Sequence, residues 1–246
     1  VIGYTIAWPA MLLAGLVQAM GTPEPGPVGA QAIAARAISH AHAVRITPFI
    51  QYKYSVSLTH RSTTKSYSYD VLERLADHFA RFTSLDPNGT PSQEIHLHKT
   101  LVSPALFLKV VADEPDPDAS PALRVIGRVE RLPYTASLVG LEPAGDCANA
   151  YHLHLVPVGD PHAHALRDLW VEAGSDRICR ANIEMTIDII SRETVTVDVA
   201  IDANDFVDRW KFQGKGHTLV GTYALAAAGS FSDITMLADA SPSLFR

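Results

Sequence analysis

The chain has 246 residues, 47% hydrophobic and 19% charged, which suits one globular domain of about 200 residues behind a leader. Its 20 basic residues are scattered among 26 acidic ones, for a net charge of −6, so a nucleic-acid partner is not expected. No segment after residue 45 is long and apolar enough to span a bilayer.

The first 20 residues, VIGYTIAWPAMLLAGLVQAM, carry no charged side chain. Such a stretch is either a signal-peptide core or a membrane span, because both must partition into hydrocarbon. Pro9, Gly15 and the shortness of the apolar core favour the signal peptide, although no basic residue precedes it. Ala30-Gln31-Ala32 is the better small-residue cleavage pattern and Val17-Gln18-Ala19 the second. A leader is therefore expected over residues 1–32, with an uncleaved anchor as the alternative. Residues 21–45 are rich in Pro and Gly and then in Ala; they read as linker with one short helical turn rather than core, and the folded domain is expected over residues 48–246 after a linker at 33–47.

Residues 49–59 (FIQYKYSVSLT) alternate apolar and polar side chains and predict a half-buried strand; residues 64–72 predict a second, joined to it by a polar turn. Leu72, Leu75, Phe79 and Phe82 stand at helical spacing, so residues 72–85 predict a helix, with a long strand as the alternative. A turn is expected at Asp86-Pro87-Asn88-Gly89, a short strand near 94–99, and a buried helix or strand at 102–112. Further strands are expected at 125–131, 134–141, 150–157, 165–172, 177–189, 194–202, 209–213, 218–226 and 231–237. The connections are short, so neighbours should pair antiparallel as a meander. The Gly214–Gly216 stretch reads as a hairpin turn between two of these strands.

Alternation along the later strands selects one apolar face: Tyr151, Leu153, Leu155, Leu169, Val171, Ile183, Met185, Val195, Val197, Val199, Leu219 and Tyr223. The opposite face carries His152, His154, Arg167, Asn182, Glu184, Thr196 and Asp198, with Trp170 as an apolar exception. A long antiparallel sheet with one apolar face must close on itself or cover that face. Residues 72–85 and 102–112 are the expected cover. Cys147 and Cys179 precede or open strands separated by a third, and non-adjacent strands lie about 10 Å apart. That spacing argues against a disulfide unless the middle strand ends early.

The run Tyr151-His-Leu-His-Leu-Val-Pro157, followed by Leu166-Arg167-Asp-Leu-Trp170-Val-Glu172, resembles exported bacterial proteins of the outer-membrane lipoprotein-sorting (LolA/LolB-like) superfamily. The shared feature is a hairpin of alternating strands closed by an acid, although Glu172 stands where Asp is common. The resemblance implies an incomplete antiparallel barrel with a helical lid over an apolar cavity. It also implies a periplasmic or envelope carrier of an acyl or lipid-like ligand or an acylated lipoprotein, without a cofactor. On that reading the apolar face is the binding surface, a membrane surface is a further contact, and the chain is a monomer.

The histidines support a second reading. Eight of the 11 form His-x-His pairs, and on a strand i and i+2 project from one face, as a chelate requires. His96, His98, His152 and His154 are the pairs on expected strands, and they would serve an exported metal-binding protein or metal-dependent hydrolase. No nucleophile-elbow, P-loop, dinucleotide or C-x-x-C motif accompanies them.

Overall fold

Period-two alternation in the sequence folds into one large antiparallel sheet. The computed structural model describes residues 27–60, 63–77, 79–98, 103–111, 133–159, 164–188, 192–218 and 221–241. In chain order the elements are α1 (Pro27–Ala43), β1 (Phe49–His60), β2 (Thr63–Arg74), β3 (Phe79–Leu85), β4 (Pro91–His98), α2 (Pro104–Val111), β5 (Tyr134–Ala144), β6 (Cys147–Pro157), β7 (Leu166–Glu172), β8 (Ile178–Asp188), β9 (Arg192–Ile201), β10 (Val207–Thr218) and β11 (Gly221–Leu237). The strands lie in the order β4-β3-β2-β1-β11-β10-β9-β8-β7-β6-β5. Among the described residues β4 and β5 remain edges, so the sheet is an incomplete barrel. One hydrophobic core runs along its inner face beneath α1 and α2. The expected strand at 125–131 lies outside the described residues.

The expected linker is a helix. Pro27 opens α1, where its fixed φ and missing N–H are harmless, and four alanines support its interior on the core side. Ala30, Ile33, Ala34, Ala37, Ile38 and Ala41 recur at helical spacing and are all buried, so α1 supplies most of the cover. Small side chains let the helix lie close to the sheet. A salt bridge from Arg36 to Asp176 (2.9 Å) and a hydrogen bond between His40 and Asp205 (3.1 Å) fasten its other side to two turns.

Residues 72–85 form no helix. Residues 70–74 complete the ladder with β1, a turn follows, and β3 begins at Phe79. A bidentate pair between Arg74 and Asp77 (2.9 and 2.7 Å) closes that turn. Strand pairing outweighs a modest helix propensity because each paired residue gains both ladder bonds and packing. Likewise, Gly214–Gly216 lies inside β10, and the two short strands expected at 218–226 and 231–237 are one continuous β11.

Cys147 and Cys179 are bridged, with Cα atoms 6.1 Å apart. The middle strand does end early. Its last pair with β6 is Glu172 opposite Ala150; Ala173 N then donates to Asn149 O at 3.0 Å as the chain turns. Cys147 therefore lies past the end of β7, and on β8 the register slips at Cys179, between Arg180 and Ile178. Gly145 (φ 60°) allows the close approach: a Cβ there would stand 2.6 Å from Cys179 O. Arg177 braces the same end, donating to Asp146 (2.9 Å), Glu172 (3.3 Å) and the Asp202 carbonyl (3.2 Å).

Candidate functional site

Alternation sends Leu153, Leu155, Leu169, Val171, Ile183, Val195, Val197 and Val199 to the inner face, and all are buried. Tyr151 is half-buried and packs against the same core. All but Val195 belong to the one hydrophobic core that packs against α1 and α2. Met185 and Tyr223 occupy positions on β8 and β11, but their side chains lie outside the described set, as does Leu219 altogether.

Among the described residues the cover is incomplete. A straight transverse row crosses six strands in register: Ile183, Val197, Phe212, Ala227, Leu58 and Lys65. Directly opposed residues share a face, so the row is continuous on the inner side. Its burial falls steadily, from Ile183 at 0% and Val197 at 4% exposed, through half-buried Phe212 and Ala227, to Leu58 at 43%. Tyr67, opposite Val56, is 41% exposed, and Ile95, opposite Phe82, is 37% exposed. Lone exposed apolar residues are ordinary, and Ile95 on β4, level with Tyr52, is one; Leu58 and Tyr67, neighbours on the inner face of β1 and β2 and continuous with the core, make an open apolar surface.

Aromatic side chains floor the transition from closed to open. Tyr54 stacks on Phe231 (5.2 Å between centroids), and Tyr69 meets Phe82 edge to face (5.7 Å). Burial pushes the Tyr52 and Tyr54 phenols above their ordinary range, so both stay protonated. Trp210 lies flat over Gly229, its cross-strand partner, where a Cβ would come within 2.5 Å of the indole nitrogen. That N–H is buried and has no hydrogen-bond partner among the described residues.

The outer face carries the histidines of β6. His154 Nδ1 lies 3.0 Å and His152 Nε2 3.3 Å from the same Asp168 oxygen, while His152 Nδ1 is 3.1 Å from Glu142. Trp170 Nε1 donates to Glu142 (2.6 Å), His152 stacks on the indole at 4.2 Å, and the Arg180 guanidinium sits 4.4 Å from it. Arg180 in turn pairs with Asp198 through Nε at 2.8 Å. Each imidazole thus has a carboxylate neighbour within a lateral network. Among the described residues no group of three or more His, Cys, Asp or Glu side chains is arranged to hold a metal ion. His96 and His98 stand opposite Arg81 and Phe79 on β4, and their side chains lie outside the described set.

Sequence reasoning missed Leu58 and Tyr67 as site residues. Both lie in strands it placed, and their inner-face position follows from period two; their exposure depends on where the helices stop.

No family model and no curated protein matches the chain. Among solved structures, it is similar to a LolA superfamily protein from Nitrosomonas europaea, at 15% identity over 88% of this chain and 97% of that one, with a TM-score of 0.39. It is also similar to a DUF1329 family protein from Desulfovibrio piger, at 10% identity over 90% and 98% of the two chains and a TM-score of 0.41. A third similar structure is an outer membrane lipoprotein-sorting protein domain from Vibrio parahaemolyticus, at 10% identity over 87% and 94% and a TM-score of 0.39.

Proposed function

We propose that the chain is a cell-envelope carrier that holds an acyl or lipid-like ligand, free or attached to a lipoprotein, on the uncovered part of its inner face. The observation that carries this reading is the graded row from Val197 to Leu58, with exposed Tyr67 beside its open end. An acyl chain laid along that row gains about 0.8 kcal/mol for each methylene removed from water, and no catalytic group is required. Lys65 ends the row with an ammonium suited to an acidic headgroup. The buried inner-face residues, from Leu153 to Val199, serve as the rigid back of the site. The apolar leader and the sequence likeness to lipoprotein-sorting proteins support an envelope location.

The test is uptake of a fluorescent fatty-acyl probe by the purified protein. Wild type should bind it, and Leu58→Glu with Tyr67→Glu should abolish uptake while leaving the melting temperature within a few degrees, since both sites are exposed. Failure of the wild type to bind any acyl probe would remove the carrier reading.

A further inference from the structure

At the end of the sheet away from Leu58 and Tyr67, β11 outruns its neighbour. Its last pair with β10 is Ser230 opposite Arg209, whereas it continues against β1 as far as Leu237. From Phe231 to Leu237, β1 is its only paired strand among the described residues, so its other backbone edge faces away from the ladder. A β-bulge sets Asp233 and Ile234 against the single residue Tyr52, with Asp233 at φ 53°. Beside this edge lies a cleft of about 620 Å³ between β11 and the turn joining β9 to β10. Phe206, Phe231, Ile234 and Met236 give it an apolar lining, and Asp202, Asn204 and Asp233 a polar one. Asp233 is already paired with Lys53 (2.7 Å). The Asp202 carboxylate accepts from the Asn204 and Phe206 backbone amides (both 2.9 Å) and from the Asn204 side chain (3.4 Å) and is paired with no cationic side chain among the described residues; Arg177 donates only to the Asp202 backbone carbonyl.

We infer that this notch is a docking site for an extended peptide segment that pairs with the free edge of β11 and sets a basic side chain against Asp202. With the two bulged residues counted as one position, Ser232–Met236 offer about 13 Å of strand, enough to pair roughly four residues. The added strand would satisfy backbone groups that the sheet leaves open, alternate apolar side chains would meet Phe206 and Met236, and the carboxylates select positive charge. The site shares only Phe231 with the residues described at the acyl surface and lies at the opposite end of the sheet from Leu58 and Tyr67, so it stands whether or not that surface binds lipid.

The test uses a fluorescent pentapeptide of alternating valine and lysine, followed by anisotropy and by hydrogen exchange on the whole protein. Binding should protect the amides of residues 232–236. A valine–glutamate peptide should bind about three- to tenfold more weakly, as one or two partly exposed charge contacts allow. Methylation of alternate backbone nitrogens should weaken binding at least as much, because it removes strand pairing. Asp202→Asn keeps the turn-capping oxygen and should erase the preference for lysine; Asp233→Asn, tolerant of the same φ, should reduce it without disturbing that turn. Equal binding of all the peptides, no binding, protection elsewhere on the sheet, or displacement of the peptide by the acyl probe would overturn the inference.

Discussion

The side chain of Gln31 pairs with the backbone of Ala136 as a neighbouring strand would. Its Oε1 accepts from Ala136 N and its Nε2 donates to Tyr134 O, both at 2.8 Å, so α1 blunts the start of the free edge of β5. Gln31→Ala should cost about 1–2 kcal/mol for the two bonds and bare a strand edge. Urea unfolding reads the first effect and size-exclusion chromatography the second, as concentration-dependent self-association. An unchanged midpoint with no dimer would mean that water replaces the amide at no cost.

The same helix bears on processing. Ala30 is fully buried and Gln31 belongs to the sheet edge, so cleavage after Ala32 would remove part of the fold. A processed form is expected to begin before Pro27, and cleavage after Ala19 would leave α1 whole. Intact mass of the mature form decides this, and a start at Ile33 would show that the sheet tolerates the loss.

Bulk on the transverse row should have opposite effects at its two ends. Val197→Phe overpacks a buried position and should cost about 1–3 kcal/mol. Leu58→Phe has room and should stay within about 0.5 kcal/mol of wild type. Equal costs at the two positions in thermal unfolding would mean that the open end is in fact filled.

Joining Cys147 to Cys179 closes a loop of sequence separation 32, for which chain entropy predicts about 3–4 kcal/mol. The double Cys→Ala variant, or wild type under reductant, should lose stability of that order in urea. A loss below about 1 kcal/mol would indicate that Arg177 and its acidic partners hold this end unaided.

Hydrogen bonds from Arg177 and Ser175 hold the Glu172 carboxyl below the ordinary range. A depressed folded value means that the stabilisation is complete above the unfolded pKa, about 4.3, and is lost as pH falls through the lower folded value. Glu172→Gln should therefore lower the melting temperature at pH 6 and converge on wild type in stronger acid. A difference that did not change with pH would assign the effect to packing instead.

The alternation of apolar and polar residues alone determined the class of the fold, most of the strands and which side of each faces inward. Leu153, Ile183 and Val197 were legible because period two requires nothing beyond neighbours in sequence. What the strand pattern left open was decided by contacts distant in the chain. Alanine is too weakly apolar to announce a core helix, so α1 became visible only when the sheet gave Ala30, Ala34, Ala37 and Ala41 something to pack against. Residues 72–85 carry both periods, and the ladder with β1 chose between them. Whether two cysteines can meet depends on where the strand between them stops, and Glu172 marks that point only through its pairing with Ala150. The open surface at Leu58 and Tyr67 is likewise a tertiary fact, since exposure is set by the reach of the helices rather than by the strands that carry it.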